Sequence, residues 1–465
     1  MALRVSQKLN FLKNGFPRFP KVQLLKKWLS AFSKRPAFLK NAEHICATAF
    51  PACKTRSAWY NKSIMANNSL TGKEFDPSVL PAEFCKLYGG EPSSVSLFAS
   101  PARINIIGEH IDYNGGKVFP AAINKYLYLA IRKRADDKII YNDLRFPGTF
   151  EFNIHDHFAY KKEDDYANYL NGILSIISRK GYKLDTGFEV LMCSNLPAGG
   201  GISSSSALEC GFAYAISELY GFNISRIDIA KIGQQSEHEF MNVQCGIMDQ
   251  FIIATAKENT AEVLDCASLE YEYVPLILGD YRFIVMNTNK KRKLSDSKYN
   301  ERRAECEKGL SILNENGAQL KNLCELSLAK FEELKGKLTD AVIQKRVKHV
   351  VTENARVGEA VDALKAGDLK KLGALLNASH ESLKNDYEVS GIELDTLAET
   401  AQAQEGCIGA RMTGAGFGGC AIALVHKDKV DSFIEAVDKI YAEKIGYSAG
   451  FFSCSSGNGV ARLAF

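Results

Sequence analysis

Three short stretches of the sequence carry residue types that can do chemistry on a phosphate ester or a polyol. Glu109, His110 and Asp112 place two carboxylates and an imidazole within four residues. Carboxylates so close together suit sugar-like hydroxyls, which they bind through charge-assisted hydrogen bonds. Arg103 lies six residues upstream. The same cluster would also serve as a solvated polar turn. The second stretch is Gly199, Gly200, Gly201, Ile202, Ser203, Ser204, Ser205 and Ser206. Glycines allow a close backbone approach, the first N–H groups of a following helix attract anions, and serine hydroxyls are hard oxygen ligands for Mg²⁺. A loop that merely ends in a serine helix cap reads the same way. The stretch lacks the lysine of a Walker-type phosphate loop. Third, Asp249 stands just before an apolar run at 251–254. It can accept a proton from a substrate hydroxyl, or it can cap a turn. Glu237, twelve residues earlier on a predicted helix, reads alone as surface charge.

These residues need elements to hold them. A strand-like run at 96–107 leads into the Glu109 cluster. A strand at 187–193 precedes the serine loop, and an amphipathic helix from 207 to about 220 leaves it. Further strands are predicted at 126–132, 138–141, 150–154, 251–255, 261–264 and 283–286, with helices at 166–179 and 227–241. From about Lys290 the pattern turns helical, with helices at 297–313, 339–365, 368–383 and 393–399. A glycine-rich turn follows, then a strand at 420–425, a helix at 430–444 and a last strand near 450–453. Gly414, Gly416 and Gly419 match G-x-G-x-x-G, but a strand follows them, so a dinucleotide fingerprint is rejected. Strands and helices mixed without regular alternation give an α+β chain with two lobes.

The 465 residues allow two or three domains. Charge is uneven along them: residues 1–64 hold 13 Lys and Arg against one acid, Glu43, whereas the remainder is net negative. An acidic body argues against nucleic acid as a partner. The basic extension reads as a targeting peptide, a disordered tail, or a segment preceding a true start at Met65. No apolar run reaches the roughly 18 residues of a membrane span. The twelve cysteines form no C-x-x-C pair and many sit in apolar runs, which fits a reducing cytoplasmic setting.

Taken in order, the motifs carry a family resemblance. Residues 101–113, 197–207 and 411–420 resemble the three motifs of the galactokinases, the sugar-kinase branch of the GHMP kinase superfamily. The resemblance covers 75–465, and 345–356 is also similar to bacterial galactokinases. It implies the two-lobed GHMP kinase fold, with an N-terminal lobe at 65–290, a C-terminal lobe at 291–465 and the active site in the cleft between them. It implies phosphoryl transfer from ATP to the C1 hydroxyl of galactose, the first step of galactose catabolism. Asp249 would be the base and Arg103 its orienting partner. Glu109, His110, Asp112, Gly246 and Tyr299 would hold the sugar. Gly199 to Ser205 would wrap the ATP phosphates, and Ser205 and Glu237 would carry Mg²⁺. The 414–419 turn would lie near the phosphates. A silent galactose sensor of this kind lacks serine-loop residues, whereas Ser203, Ser204, Ser205, Glu237 and Asp249 are all present here. Ile111 stands where many galactokinases have threonine. The partners expected are galactose and ATP, with no nucleic acid or membrane, in a monomer or weak homodimer.

Overall fold

The structure, a computed structural model, describes residues 76–196, 201–290 and 295–464. The 1–64 extension and all three readings of it lie outside these residues, as do Gly199 and Gly200. The described chain opens with helix α1 (Leu80–Tyr88) and strand β1 (Ser96–Asn105). Strands β2 (Lys117–Val118), β3 (Pro120–Lys133), β4 (Lys138–Asp143) and β5 (Phe146–Asn153) follow, then α2 (Ala167–Arg179) and β6 (Phe188–Ser194). Next come α3 (Ser204–Tyr220), α4 (Arg226–Glu239), α5 (Met248–Thr255) and strands β7 (Thr260–Asp265), β8 (Tyr271–Pro275) and β9 (Tyr281–Asn287). The helical region holds α6 (Ser295–Glu315), α7 (Leu328–Leu334), α8 (Ala341–Lys365), α9 (Leu369–Ser382) and α10 (Ile392–Gln402). Strands β10 (Cys407–Thr413) and β11 (Cys420–His426), helix α11 (Val430–Ile445), and strands β12 (Gly450–Cys454) and β13 (Ala461–Leu463) close it.

The strands form three sheets. The largest runs in the order β13-β1-β3-β6-β4-β5, the second β10-β11-β9-β12, and the third β2-β7-β8. All pairings are antiparallel except β4 with β6. Strand β1 is buried on both faces. Phe98, Ala102 and Ile104 join the main core, and Leu97 and Ala99 join a smaller cluster under α1. Pro101 sits where the β1–β3 register shifts, a place suited to a residue without an N–H. The mixture of helices and strands agrees with the α+β class.

One expected strand is a helix. Residues 251–255 lie in α5, where Phe251, Ile252, Ile253 and Ala254 are all buried. A short run that is apolar on every side has no period to separate helix from strand. The sequence patterns also passed over β8, β10 and β13. The last two are short or begin with residues of low β-propensity, and each is held by its neighbour: β10 by β11, β13 by β1. Among the described residues, no helix is long and apolar enough to cross a membrane.

Candidate active site

Strand β1 delivers Arg103 to the centre of the site, with only 3% of it exposed. Its guanidinium meets Asp249 side-on: Nε donates to Oδ1 and Nη2 to Oδ2, each at 2.7 Å. A bidentate fork of this kind fixes geometry as well as charge. Asp249 lies in the first turn of α5, where the helix dipole favours a carboxylate. Because 248–255 is helical, Asp249 points back toward β1 instead of ending a strand. It is not the cap residue either, since Ile247 holds that position.

The visible part of the serine loop is stapled to the same pair. The carbonyl of Gly201 accepts from Arg103 Nη1 at 3.4 Å, and that of Ile202 accepts from the Arg103 N–H at 3.4 Å. Ser203 occupies the N-cap of α3 with a left-handed φ of 63°. Its hydroxyl makes no capping bond and donates to Asp249 Oδ2. The plain N-cap reading of this loop is therefore set aside. Ser204 is exposed at the helix start, and Ser205 is half-buried beside it.

The 108–116 loop follows β1. Glu109 is 1% exposed, and both its oxygens have partners: Asn105 Nδ2 at 2.8 Å, the Gly414 N–H at 2.7 Å and the Arg411 guanidinium at 3.2 Å. His110 has φ 61°, and its ring nitrogens meet the Tyr113 hydroxyl at 2.8 Å and the Ala415 carbonyl at 3.2 Å. Burial, and then its neighbour His349, push it down to about 3, so its ring is neutral. Asp112 lies against Gly246, which has no side chain to intervene. Burial and the Asp249 carboxylate push Asp112 up to about 7. Tyr299, on α6, stacks at 5.4 Å from both the His110 and Tyr113 rings. Ile111 is fully buried in the main core.

The glycine turn after β10 touches both loops. A methyl on Gly414 would lie 2.9 Å from the Gly201 carbonyl and 3.4 Å from Arg103. Arg411, fully buried on β10, donates to the carbonyls of Asn105 and Ile106. Sequence reasoning gave Arg411 no role of its own, although it sits inside a motif that was recognised. It also missed Tyr387, whose hydroxyl lies 2.7 Å from that of Tyr113. A lone tyrosine in a helical stretch gives no signal.

One turn beyond Ser205 on α3, Glu209 is fully buried beside Glu237 of α4. Burial, and then the Glu237 carboxylate, push its carboxyl well above the usual range. Two adjacent buried carboxylates below a row of serine hydroxyls fit a divalent cation. Among the described residues, no three His, Cys, Asp or Glu side chains are grouped to hold a metal by themselves.

Comparison with known proteins gives the same picture. The galactokinase galactose-binding signature matches residues 82–133, the GHMP kinase N-terminal domain 168–257, and the GHMP kinase C-terminal domain 360–443. A galactokinase of Clostridium perfringens is 48% identical over 388 residues, 83% of this chain and 99% of that protein. One from Streptococcus suis is 49% identical over 80% of this chain and 95% of its own length. The crystal structure of Lactococcus lactis galactokinase complexed with galactose superposes with a TM-score of 0.80 at 44% identity, covering 83% of this chain and 99% of that one. A mevalonate kinase, 21% identical with a TM-score of 0.55, shares the fold.

Proposed function

The chain belongs to the galactokinase family of GHMP kinases, and on that premise we propose that Asp249 and Arg103 carry phosphoryl transfer from ATP to the C1 hydroxyl of D-galactose. It is an ATP-dependent sugar kinase with galactokinase function. The observation that carries the residue assignment is the state of the Asp249 carboxylate. Oδ2 is used by Arg103 and Ser203, whereas Oδ1 receives, among the described residues, Arg103 Nε alone. A carboxylate oxygen accepts at least two hydrogen bonds, so Oδ1 keeps a position for a substrate hydroxyl.

Asp249 takes the proton of the C1 hydroxyl through Oδ1. The freed sugar oxygen bonds to the γ-phosphorus, the bond from that phosphorus to the β–γ bridging oxygen breaks, and ADP leaves with that electron pair. The proton passes from Asp249 to solvent afterwards. Phosphoryl transfer asks for positioning and charge neutralisation more than covalent chemistry. Arg103 supplies both, since it fixes the base and holds a positive charge at the transfer point. Asp112 and the Gly246 main chain bind sugar hydroxyls, Tyr299 closes the pocket, and His110 adds a neutral donor or acceptor. Glu109 holds the loop to Arg411 and shares its remaining lone pairs with the sugar. Gly199 to Ser205 and the N-terminus of α3 hold the triphosphate. Ser205 and Glu237 would hold Mg²⁺, which when bound neutralises phosphate charge.

We divide the chain into lobes at 65–290 and 291–465, with the site in the cleft. Strand β9 then joins the C-terminal sheet and β13 the N-terminal one. Buried free thiols such as Cys210 and Cys306 suit the cytoplasm. The enzyme works as a monomer or weak homodimer, which sedimentation would check. Coupled ADP release over a panel of sugars tests the substrate. Galactose should be turned over fastest, and preference for N-acetylgalactosamine or another hexose would overturn the sugar assignment.

A further inference from the structure

The sequence stretch 345–356 takes no part in the chemistry above, yet it faces the sugar loop. It lies on α8, where His349 and Glu353 are one turn apart and share a face. Glu353 is fully buried. Its Oε1 accepts from the Gly108 N–H at 3.0 Å, the Glu109 N–H at 3.4 Å and Ser379 Oγ at 2.7 Å. Its Oε2 accepts from Arg356 Nε at 2.8 Å. His349 Nε2 lies 3.1 Å from the Glu109 carbonyl and therefore carries the proton, while Nδ1 accepts from Ser382 Oγ at 2.9 Å. Asn354 Oδ1 accepts from the Lys117 N–H at 3.0 Å. Both main-chain groups of Glu109 and the N–H of Gly108 are thus held by one helix.

The loop needs holding. Gly108 has φ 105° and His110 φ 61°. A non-glycine residue in the left-handed region persists only where its surroundings over-determine it. A methyl on Gly108 would meet Val357 Cγ2 and the Lys117 carbonyl at 3.0 Å, so the loop is pressed against α8 itself. A carboxylate is the side chain that can serve two N–H groups and a hydroxyl through one oxygen and still anchor to an arginine through the other.

We propose that Glu353, with His349, is a positioning residue for galactose. It fixes the main chain of Gly108 and Glu109 so that Glu109, His110 and Asp112 meet the sugar in one conformation. This rests on the reading of 109–112 as the sugar loop.

The test is galactose binding by calorimetry on the full chain, with ATP KM and thermal melting measured alongside. Glu353→Leu removes the acceptor at similar volume. It should weaken galactose binding about tenfold or more, which is the loss of one well-placed hydrogen bond, and leave ATP KM within about twofold. Glu353→Gln keeps an amide oxygen for the two N–H groups and should restore most of the affinity. Arg356→Met removes the ion pair without touching the loop; it should lower the Tm yet leave galactose affinity within about twofold. If Glu353→Leu fails to fold, His349→Phe, which deletes the donor to the Glu109 carbonyl and the acceptor for Ser382 Oγ, decides with the same split. Unchanged galactose affinity in Glu353→Leu or, where that does not fold, in His349→Phe overturns the proposal, as does a loss of galactose and ATP binding that simply follows Tm in every variant. Asp112→Asn separates the two readings. Wild-type galactose affinity there would remove the sugar loop itself, whereas weakened binding there with normal binding in Glu353→Leu would remove only the present inference.

Discussion

Asp112 packs its carboxylate directly onto Gly246: a methyl group at that glycine would lie 1.8 Å from Oδ2 and 2.0 Å from Cγ. Gly246→Ala must therefore displace the Asp112 carboxylate. Galactose KM should rise about tenfold or more, as expected when a charge-assisted hydrogen bond is lost, with ATP KM within about twofold. Steady-state kinetics with each substrate varied would check this. Equal changes in both constants would mean that the glycine serves the fold and not the sugar.

Asp249→Asn keeps the shape of the side chain and removes its basicity. kcat should fall by about 10²–10⁴, the usual contribution of a general base. The melting temperature should fall as well, because the amide offers the buried Arg103 fork one acceptor oxygen in place of two and no counter-charge. Near-full turnover in this variant would take the base role away from Asp249.

Asp112 gives the site a pH dependence. Its carboxyl is raised from 3.8 to about 7, so it gains a proton as pH falls through about 7. kcat/KM for galactose should fall below that pH and level off above it, and the inflection should vanish in Asp112→Asn. Stability runs the other way. Between about pH 4 and pH 7 the folded chain binds a proton that the unfolded chain has lost, so stability drops as pH rises through that window. Thermal melts of the wild type and Asp112→Asn across that range would show the slope in the former and its loss in the latter.

Ile111 is the residue at which the sugar loop departs from the common galactokinase pattern. It is fully buried in the main apolar core. Ile111→Thr should therefore cost about 1–3 kcal/mol of stability, the price of an unpaired buried hydroxyl. The preference for galactose over N-acetylgalactosamine should not move. A changed sugar preference at unchanged Tm would contradict this placement.

The sequence made the α+β class, the family and most elements legible, because motif spacing and apolar periodicity are local properties. Arg103 and the Glu109 cluster could be tied together because the strand that carries Arg103 leads directly into the loop that holds Glu109. What stayed hidden depends on contacts made across the fold. Residues 251–255 read as a strand because a run buried on all sides has no period. Ser203 looked like a helix cap until its hydroxyl was found turned to Asp249. Glu353 and Arg411 are charged residues within otherwise ordinary patterns, and nothing in their own neighbourhoods announces that each ends fully buried under the sugar loop.

The pairing of β13 with β1 has a consequence for how the protein is made. On the side of β1 away from β3, residues 97–99, a few positions before Arg103, pair with residues 461–463. Among the described strands, that partner is the last to be synthesised. Until then one margin of the nascent sheet lies uncovered and open to other chains, so a nascent chain stalled before residue 461 presents a sticky border a few positions from Arg103.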